Sequence, residues 1–292
     1  MELPKTIRKA VGRILGPQMI RSVRRYRQGT VGGLDVYRSY LTDKRGLEIG
    51  GPSGILGDEG PLPVYSVLAS LDNCLYSSRT IWAGEVKDGS TFKYHPLKSA
   101  GEQFICEATD LEPVANSSYD CVLASHCLEH VANPFRALTE WRRVLKENGL
   151  LLLLLPHRDG TFDWRRPATS LDHMIQDHAD GVSEDDLTHL PEVLELHDLR
   201  KDIAAGTREE FRQRCLENHS NRAMHQHVFD TLTAIRTVDH AKFEVIRVDN
   251  LKPYHIIILA RRHEGEPDNQ KFLRKGAEHW GRSPFPSDRR HR

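Results

Sequence analysis

The stretch SHCLEHVANP, residues 125–134, places His126, Glu129 and His130 within five positions. On a helix these have i, i+3, i+4 spacing and share one face. Imidazole nitrogens with a carboxylate oxygen are a competent ligand set for a divalent cation. The same groups can also take a proton from a hydroxyl. The competing reading is a first helical turn with polar residues on its outer side. The chain holds sixteen histidines, many of them between 157 and 227. That stretch reads as a polar lid or as a second proton-handling or metal region.

The elements that must position these residues follow from hydrophobic pattern. From Gly46, short apolar runs alternate with helical stretches, which reads as βαβ units around a mostly parallel sheet. The strand candidates are 47–50, 64–71, 104–107, 119–124, 150–155, 243–248 and 255–260. Pro134–Lys146 reads as a helix with Phe135, Leu138, Trp141 and Leu145 on one face, stopped by Asn148-Gly149. Residues 158–221 form a polar insertion with helical patches, and 222–238 resumes as a helix. The domain built from these elements spans 46–261, and the polar, Pro/Gly/Arg-rich stretch 262–292 reads as a loosely held tail. Residues 1–45 form an N-terminal arm whose first thirty carry eight Lys/Arg against one acid. Apolar residues at helical spacing make it a basic amphipathic helix, able to pack on its own domain or to touch an anionic membrane surface.

Bulk properties exclude some classes. Lys+Arg and Asp+Glu are both 41, so net charge is zero, which argues against a dedicated nucleic-acid binder. Five cysteines form no CxxC pair, as expected for free thiols in a reducing compartment. With no signal-peptide pattern and no apolar run long enough to cross a bilayer, a cytoplasmic protein is expected.

GLEIGGPSG, residues 46–54, is a strand ending in a glycine turn, with Gly50, Gly51 and Gly54 allowing close backbone approach to a ligand. A helix starting behind it would offer free N–H groups. Asp72, at the expected end of the next strand, is placed to accept both hydroxyls of a ribose. Asp110 follows the third strand, where a nucleobase edge would lie. Each acid alone reads equally as a solvated loop residue.

The segments LEIGGPSG, ATDL and YDCVLASHCLEHVANPFRALTEWRRVLKENGLLLLLLP resemble the class I S-adenosylmethionine-dependent methyltransferases. The resemblance implies a Rossmann-like α/β fold, with a seven-stranded, mostly parallel sheet and an antiparallel last strand. It implies that Glu48 and the backbone of Gly50, Gly51 and Gly54 hold the methionine part of S-adenosyl-L-methionine. Asp72 would take the ribose, and Asp110 with the backbone of Leu111 the adenine. Pro52 departs from the family's glycine pattern. SHCLEH also resembles the Glu-x-x-Glu-His element of two metal-dependent branches, the ubiquinone O-methyltransferases and the small-RNA 2′-O-methyltransferases. By that resemblance His126, Glu129 and His130, joined by His227 from HVFD, would bind Mg, Mn or Zn. LEH also occurs in relatives that bind no metal, and His126 or His227 would then serve as general base.

Arg165 and Arg166 follow the fifth strand, and could grip a phosphate or carboxylate of a substrate, or pair with the acids nearby. His189, His197 and Asp198 fit no recognisable metal pattern and read as lid residues. The expected function is O-methylation of a sugar, glycan or other small metabolite. The alternatives are a non-catalytic cofactor-binding protein of the same fold and an RNA 2′-O-methyltransferase.

Overall fold

The computed structural model describes residues 30–292. Its strands are β1 (Arg45–Ile49), β2 (Ser70–Leu75), β3 (Arg79–Thr80), β4 (Gly84–Glu85), β5 (Gly89–Phe92), β6 (Gly101–Ile105), β7 (Tyr119–Ser125), β8 (Leu145–Pro156), β9 (Phe243–Leu251) and β10 (His255–Arg262). Eight of them form one sheet in the order β5-β6-β2-β1-β7-β8-β10-β9, while β3 and β4 pair as a separate hairpin. The β6-β2-β1-β7-β8 centre is parallel, and β10 runs antiparallel between β8 and β9. Six of the seven expected strands are present within a few residues, and the second is displaced to Ser70–Leu75. The eighth, β5, adds an antiparallel edge that the sequence reading lacked.

The helices are α1 (Leu34–Leu41), α2 (Pro134–Val144), α3 (Leu171–Ala179), α4 (Leu190–Leu196), α5 (Arg208–Leu216), α6 (Asn218–Asn221), α7 (Thr231–His240), α8 (Gln270–Leu273) and α9 (Glu278–Arg282), of which α4 and α5 pack together in a separate apolar cluster. Alternation along β8 explains both layers. Leu151, Leu153 and Leu155 face Phe135, Leu138 and Trp141 of α2 and Ile235 of α7. Leu150, Leu152 and Leu154 face Tyr37 and Leu41 of α1, with Leu56 and Tyr65. A leucine run buried on both faces is what a central strand of a covered sheet requires. Each such side chain contributes about 2 kcal/mol on burial. Asn133 caps α2 by accepting from the Arg136 N–H at 2.9 Å, with Pro134 in the first turn.

Several boundaries move. The second strand is Ser70–Leu75, not 64–71, because Val64–Leu68 packs as a short 3₁₀ segment instead. No helix follows the glycine turn; Pro52, Pro61 and Pro63 lie in the connection, and proline disrupts helix hydrogen bonding. Helix α7 starts at Thr231, where Asp230 accepts from the Thr233 N–H, so 222–230 is an irregular connection and not helix. The tail is packed, not loose. Trp280 is fully buried, and Asp288 sits against His157, Thr231 and Ser283. The amphipathic helix expected near the N-terminus falls largely on residues 1–29, outside the described residues. Among the described residues no helix is long and apolar enough to cross a membrane.

Candidate active site

A cleft of about 1140 Å³ opens over the carboxyl ends of β1, β2, β6 and β7, the end of a parallel sheet where ligands bind. Its cofactor side is floored by Gly50, Gly54, Leu75 and Ala108. Gly50 has φ +81°, the left-handed region that favours glycine, and turns the chain off β1. A Cβ on Gly54 would meet nothing within 4 Å, so the backbone there is open to a ligand. Gly51 serves the turn from within. Its N–H donates to Asn73 Oδ1 at 2.9 Å, and a Cβ would strike Glu48 Oε2 at 2.3 Å.

Glu48 lies fully buried beneath this turn, accepting from Tyr65 Oη at 2.8 Å and from the Ser53 N–H at 3.2 Å. Burial pushes its carboxyl up to about 7, although both hydrogen bonds oppose the rise. It shapes the turn and does not line the cleft. The turn and the free space above Gly54 fit a nucleoside-type cofactor.

Glu129, His126 and His130 all line the other side of the cleft, but not by one helix face. LEH is a single 3₁₀ turn, and His126 precedes it with φ +54°. His126 Nδ1 lies 3.5 Å from Glu129 Oε1, and its Nε2 lies 2.9 Å from His255 Nδ1. Burial and the neighbouring His126 hold His255 down at about 3, so it is neutral. Glu129 is 1 % exposed, and its Oε2 has no hydrogen-bond partner. Burial alone would raise its carboxyl. The hydrogen bond from His126 and the charges of His130, His126 and His225 outweigh that and lower it.

The metal set read from the sequence does not assemble. His227 stands apart from the cleft, with Nε2 3.1 Å from the Ala132 carbonyl. His225 takes its place: Glu129, His130 and His225 each bring a ligand atom within 4.8 Å of the others. The chain bends at Gln226 and His227, so the two histidines serve different neighbourhoods. Both second-layer partners suit a metal site. His130 Nδ1 faces the Met224 carbonyl at 3.3 Å, and His225 Nδ1 faces Asp163 Oδ2 at 2.6 Å. A ligating imidazole is commonly fixed in this way through its other nitrogen.

Other expected residues lie elsewhere. Asp72 is near the start of β2, at the far end from the cleft. It accepts from Tyr119 Oη, from Arg45 and from the Glu102 N–H, at 2.8, 3.1 and 2.8 Å. The misplaced strand boundary caused the error. Asp110 is exposed outside the cleft, and the Leu111 N–H already donates to Glu140 Oε2 at 2.9 Å. Glu107, three residues earlier, lines the cleft instead. Arg166 is 1 % exposed and spent on Asp163, Glu192 and the carbonyls of His225 and Gln226. Arg165 covers the Trp164 ring and does not reach the cleft.

Arg222 reaches the cleft, alongside Arg200 and Lys201, and the sequence reading missed it. Arg222 Nη2 is 2.6 Å from Glu107 and Nη1 is 2.9 Å from Glu184, joining β6 to the insertion. Burial pushes Glu184 up to about 7 against the pull of Arg222. No local signal marks these three residues, since they meet only through the fold.

Residues 90–153 match the family model described as a methyltransferase domain. No curated protein matches the chain. Solved structures are similar at low identity. A methyltransferase from Methanosarcina mazei is 17% identical, covering 81% of this chain and 100% of its own, with TM-score 0.44. One from Aquifex aeolicus is 12% identical, covering 87% and 97%, with TM-score 0.42. The 1,6-didemethyltoxoflavin-N1-methyltransferase of Burkholderia thailandensis, solved with S-adenosylhomocysteine, is 12% identical, covering 79% and 76%, with TM-score 0.43. The family match runs from β5 into β8, through the end of β7 and the LEH turn that line the cleft.

Proposed function

We propose that the protein methylates a hydroxyl of a small polyhydroxylated acceptor, a sugar or glycan, with His126 as the general base. The observation that carries this reading is the buried Glu129 carboxylate between His126, His130 and His225 on the acceptor side of the cleft. The cleft volume accommodates a nucleoside cofactor and a second small molecule. Tyr254, Phe162 and Trp82 offer flat apolar surface to a sugar ring, while Arg222 and Glu184 offer polar contacts.

S-Adenosylmethionine, when bound, supplies the methyl group on an activated sulfonium. The chain's part is to hold the acceptor in line and to remove its proton. His126 takes the hydroxyl proton at Nε2, while Nδ1–H faces Glu129, which stabilises the imidazolium that forms. In the resting pair neutral His255 donates its Nδ1–H to His126 Nε2, and it gives up that hydrogen bond to the acceptor hydroxyl without adding charge. Glu129, His130 and His225 would hold a divalent cation, Mg, Mn or Zn, whose chemistry is to lower the pKa of a bound hydroxyl. The Glu129 Oε2 left without a partner supports that fit.

The test is formation of S-adenosylhomocysteine against a panel of sugars and glycosides, with and without Mn²⁺. Glu129→Gln is expected to lower kcat about 10²–10³-fold, typical of a lost base-orienting group, with cofactor affinity unchanged. Methylation only of nitrogen or carbon acceptors, or a Glu129→Gln enzyme at the wild-type rate, sinks the reading.

A further inference from the structure

A second group of ligand-type side chains lies outside the cleft, behind the turn that carries Glu129. His173 and Asp177 stand four residues apart on one face of α3, His189 precedes α4, and His227 comes from the bend after His225. Each brings one ligand atom within 4.8 Å of the other three. His173 Nε2 is 3.1 Å from His189 Nε2 and 3.3 Å from Asp177 Oδ2. His227 Nε2, 3.8 Å from the same carboxylate oxygen, is turned to the Ala132 carbonyl, which leaves Nδ1 as its ligating nitrogen. A tetrahedral zinc with bonds of about 2.0–2.1 Å has ligand-to-ligand edges of about 3.3–3.4 Å. The His173–His189 and His173–Asp177 spacings lie close to that edge.

Two further observations point to an absent ligand. Asp177 Oδ2 and His227 Nδ1 are both buried with no hydrogen-bond partner. Leaving such atoms unsatisfied is costly, and native proteins rarely do so without cause. The His227 ring meanwhile has one nitrogen at the Ala132 carbonyl, the kind of outer contact that fixes a ligating imidazole. None of the four residues lines the cleft.

We propose that His173, Asp177, His189 and His227 bind a structural zinc ion that clamps the helical insertion onto the methyltransferase core. Three imidazoles and one carboxylate favour zinc over magnesium or calcium, which prefer oxygen. Four protein ligands close the site, as in structural rather than catalytic zinc. The clamp joins α3 and α4 to the connection 225–230. There the Gln226 and His227 N–H groups donate to the Glu129 carbonyl at 2.8 and 3.2 Å. Zinc would therefore steady the wall behind the acceptor side. This holds whatever the methyl acceptor is, and whether or not a cation occupies the cleft.

The test uses the full chain, stripped with chelator, reloaded with Zn²⁺ or Co²⁺, and dialysed. Metal content is measured for wild type, for His173→Ala/His189→Ala, and for Glu129→Gln/His225→Ala. The His173/His189 variant is expected to hold one tightly bound zinc fewer than wild type, and the cleft variant to keep that ion. The Co²⁺ form of wild type should show the visible bands of a four-coordinate site, and chelation should lower its Tm. His173 and His189 are partly exposed, so their loss leaves the core intact. If that double variant fails to fold, single His173→Gln must still shift the Co²⁺ bands. A wild type that retains no metal overturns the proposal. So does a zinc content left unchanged by both histidine replacements, or zinc lost only from the Glu129/His225 variant.

Discussion

Glu48 and Glu129 are the same residue type, both buried, one beneath each side of the cleft, and their surroundings drive them in opposite directions. Under the cofactor turn, burial dominates and Glu48 rises to about 7, because Tyr65 and the Ser53 N–H offer dipoles and no positive charge. On the acceptor side burial acts equally, but His126, His130 and His225 outweigh it and keep Glu129 ionised. Burial thus sets the cost of a charge, and the neighbours decide whether it persists. The cofactor side is a backbone cradle held from below by a near-neutral carboxyl. The acceptor side is a charged cluster assembled from β7, the insertion and β10.

The contrast can be broken first at Glu48. Its folded-state pKa is raised, so the stability it gives is fully present below its ordinary value of 4.5 and lost as pH rises through about 7. Ionising it at pH 8.5 costs about 3 kcal/mol. Glu48→Gln removes that term. In urea unfolding at pH 5 and pH 8.5, without cofactor, the variant should lose about 3 kcal/mol less than wild type between the two values. Equal pH dependence in both proteins would show that Glu48 is not held near neutrality. Glu184 titrates in both proteins and cancels in this difference.

How much of this was legible in the sequence differs between the two sides. Strand and turn signals are local: LEIGG gave β1 and the glycine turn, and the apolar run before Pro156 gave the buried centre of β8. Glu129 and His130 were found because they sit four and five residues beyond a strand end. The cluster around them was not, because His225, His255, Arg222 and Glu184 converge only through tertiary contacts. Choosing His227 over His225 failed on a bend that no periodicity marks. The error at Asp72 was of another kind. Val64–Leu71 is apolar enough for a strand, but the 3₁₀ segment there packs against α1 and leaves the strand to begin six residues later. A shift of that length carries a carboxylate from one end of the sheet to the other.

Asp72 therefore becomes a control for both sides of the cleft. Asp72→Ala strips acceptors from the Tyr119 hydroxyl, the Arg45 guanidinium and the Glu102 N–H. Arg45 is half exposed and contributes little, so a loss of about 2 kcal/mol is expected, mainly from the two other donors. Cofactor affinity by calorimetry should stay within about twofold, since nothing at this end touches the cleft. A tenfold loss of affinity at unchanged stability would return Asp72 to the ribose. The smallest effect is expected at Arg165, whose guanidinium covers Trp164 and lies 4.0 Å from Asp198. Asp198 is already gripped by Arg200 at 2.8 Å, so Arg165→Ala should change stability by no more than about 0.5 kcal/mol. The KM for a charged or neutral acceptor should not move either. If it rises several-fold for an anionic acceptor alone, Arg165 reaches the substrate, and the acceptor side extends further into the insertion than the cleft lining indicates.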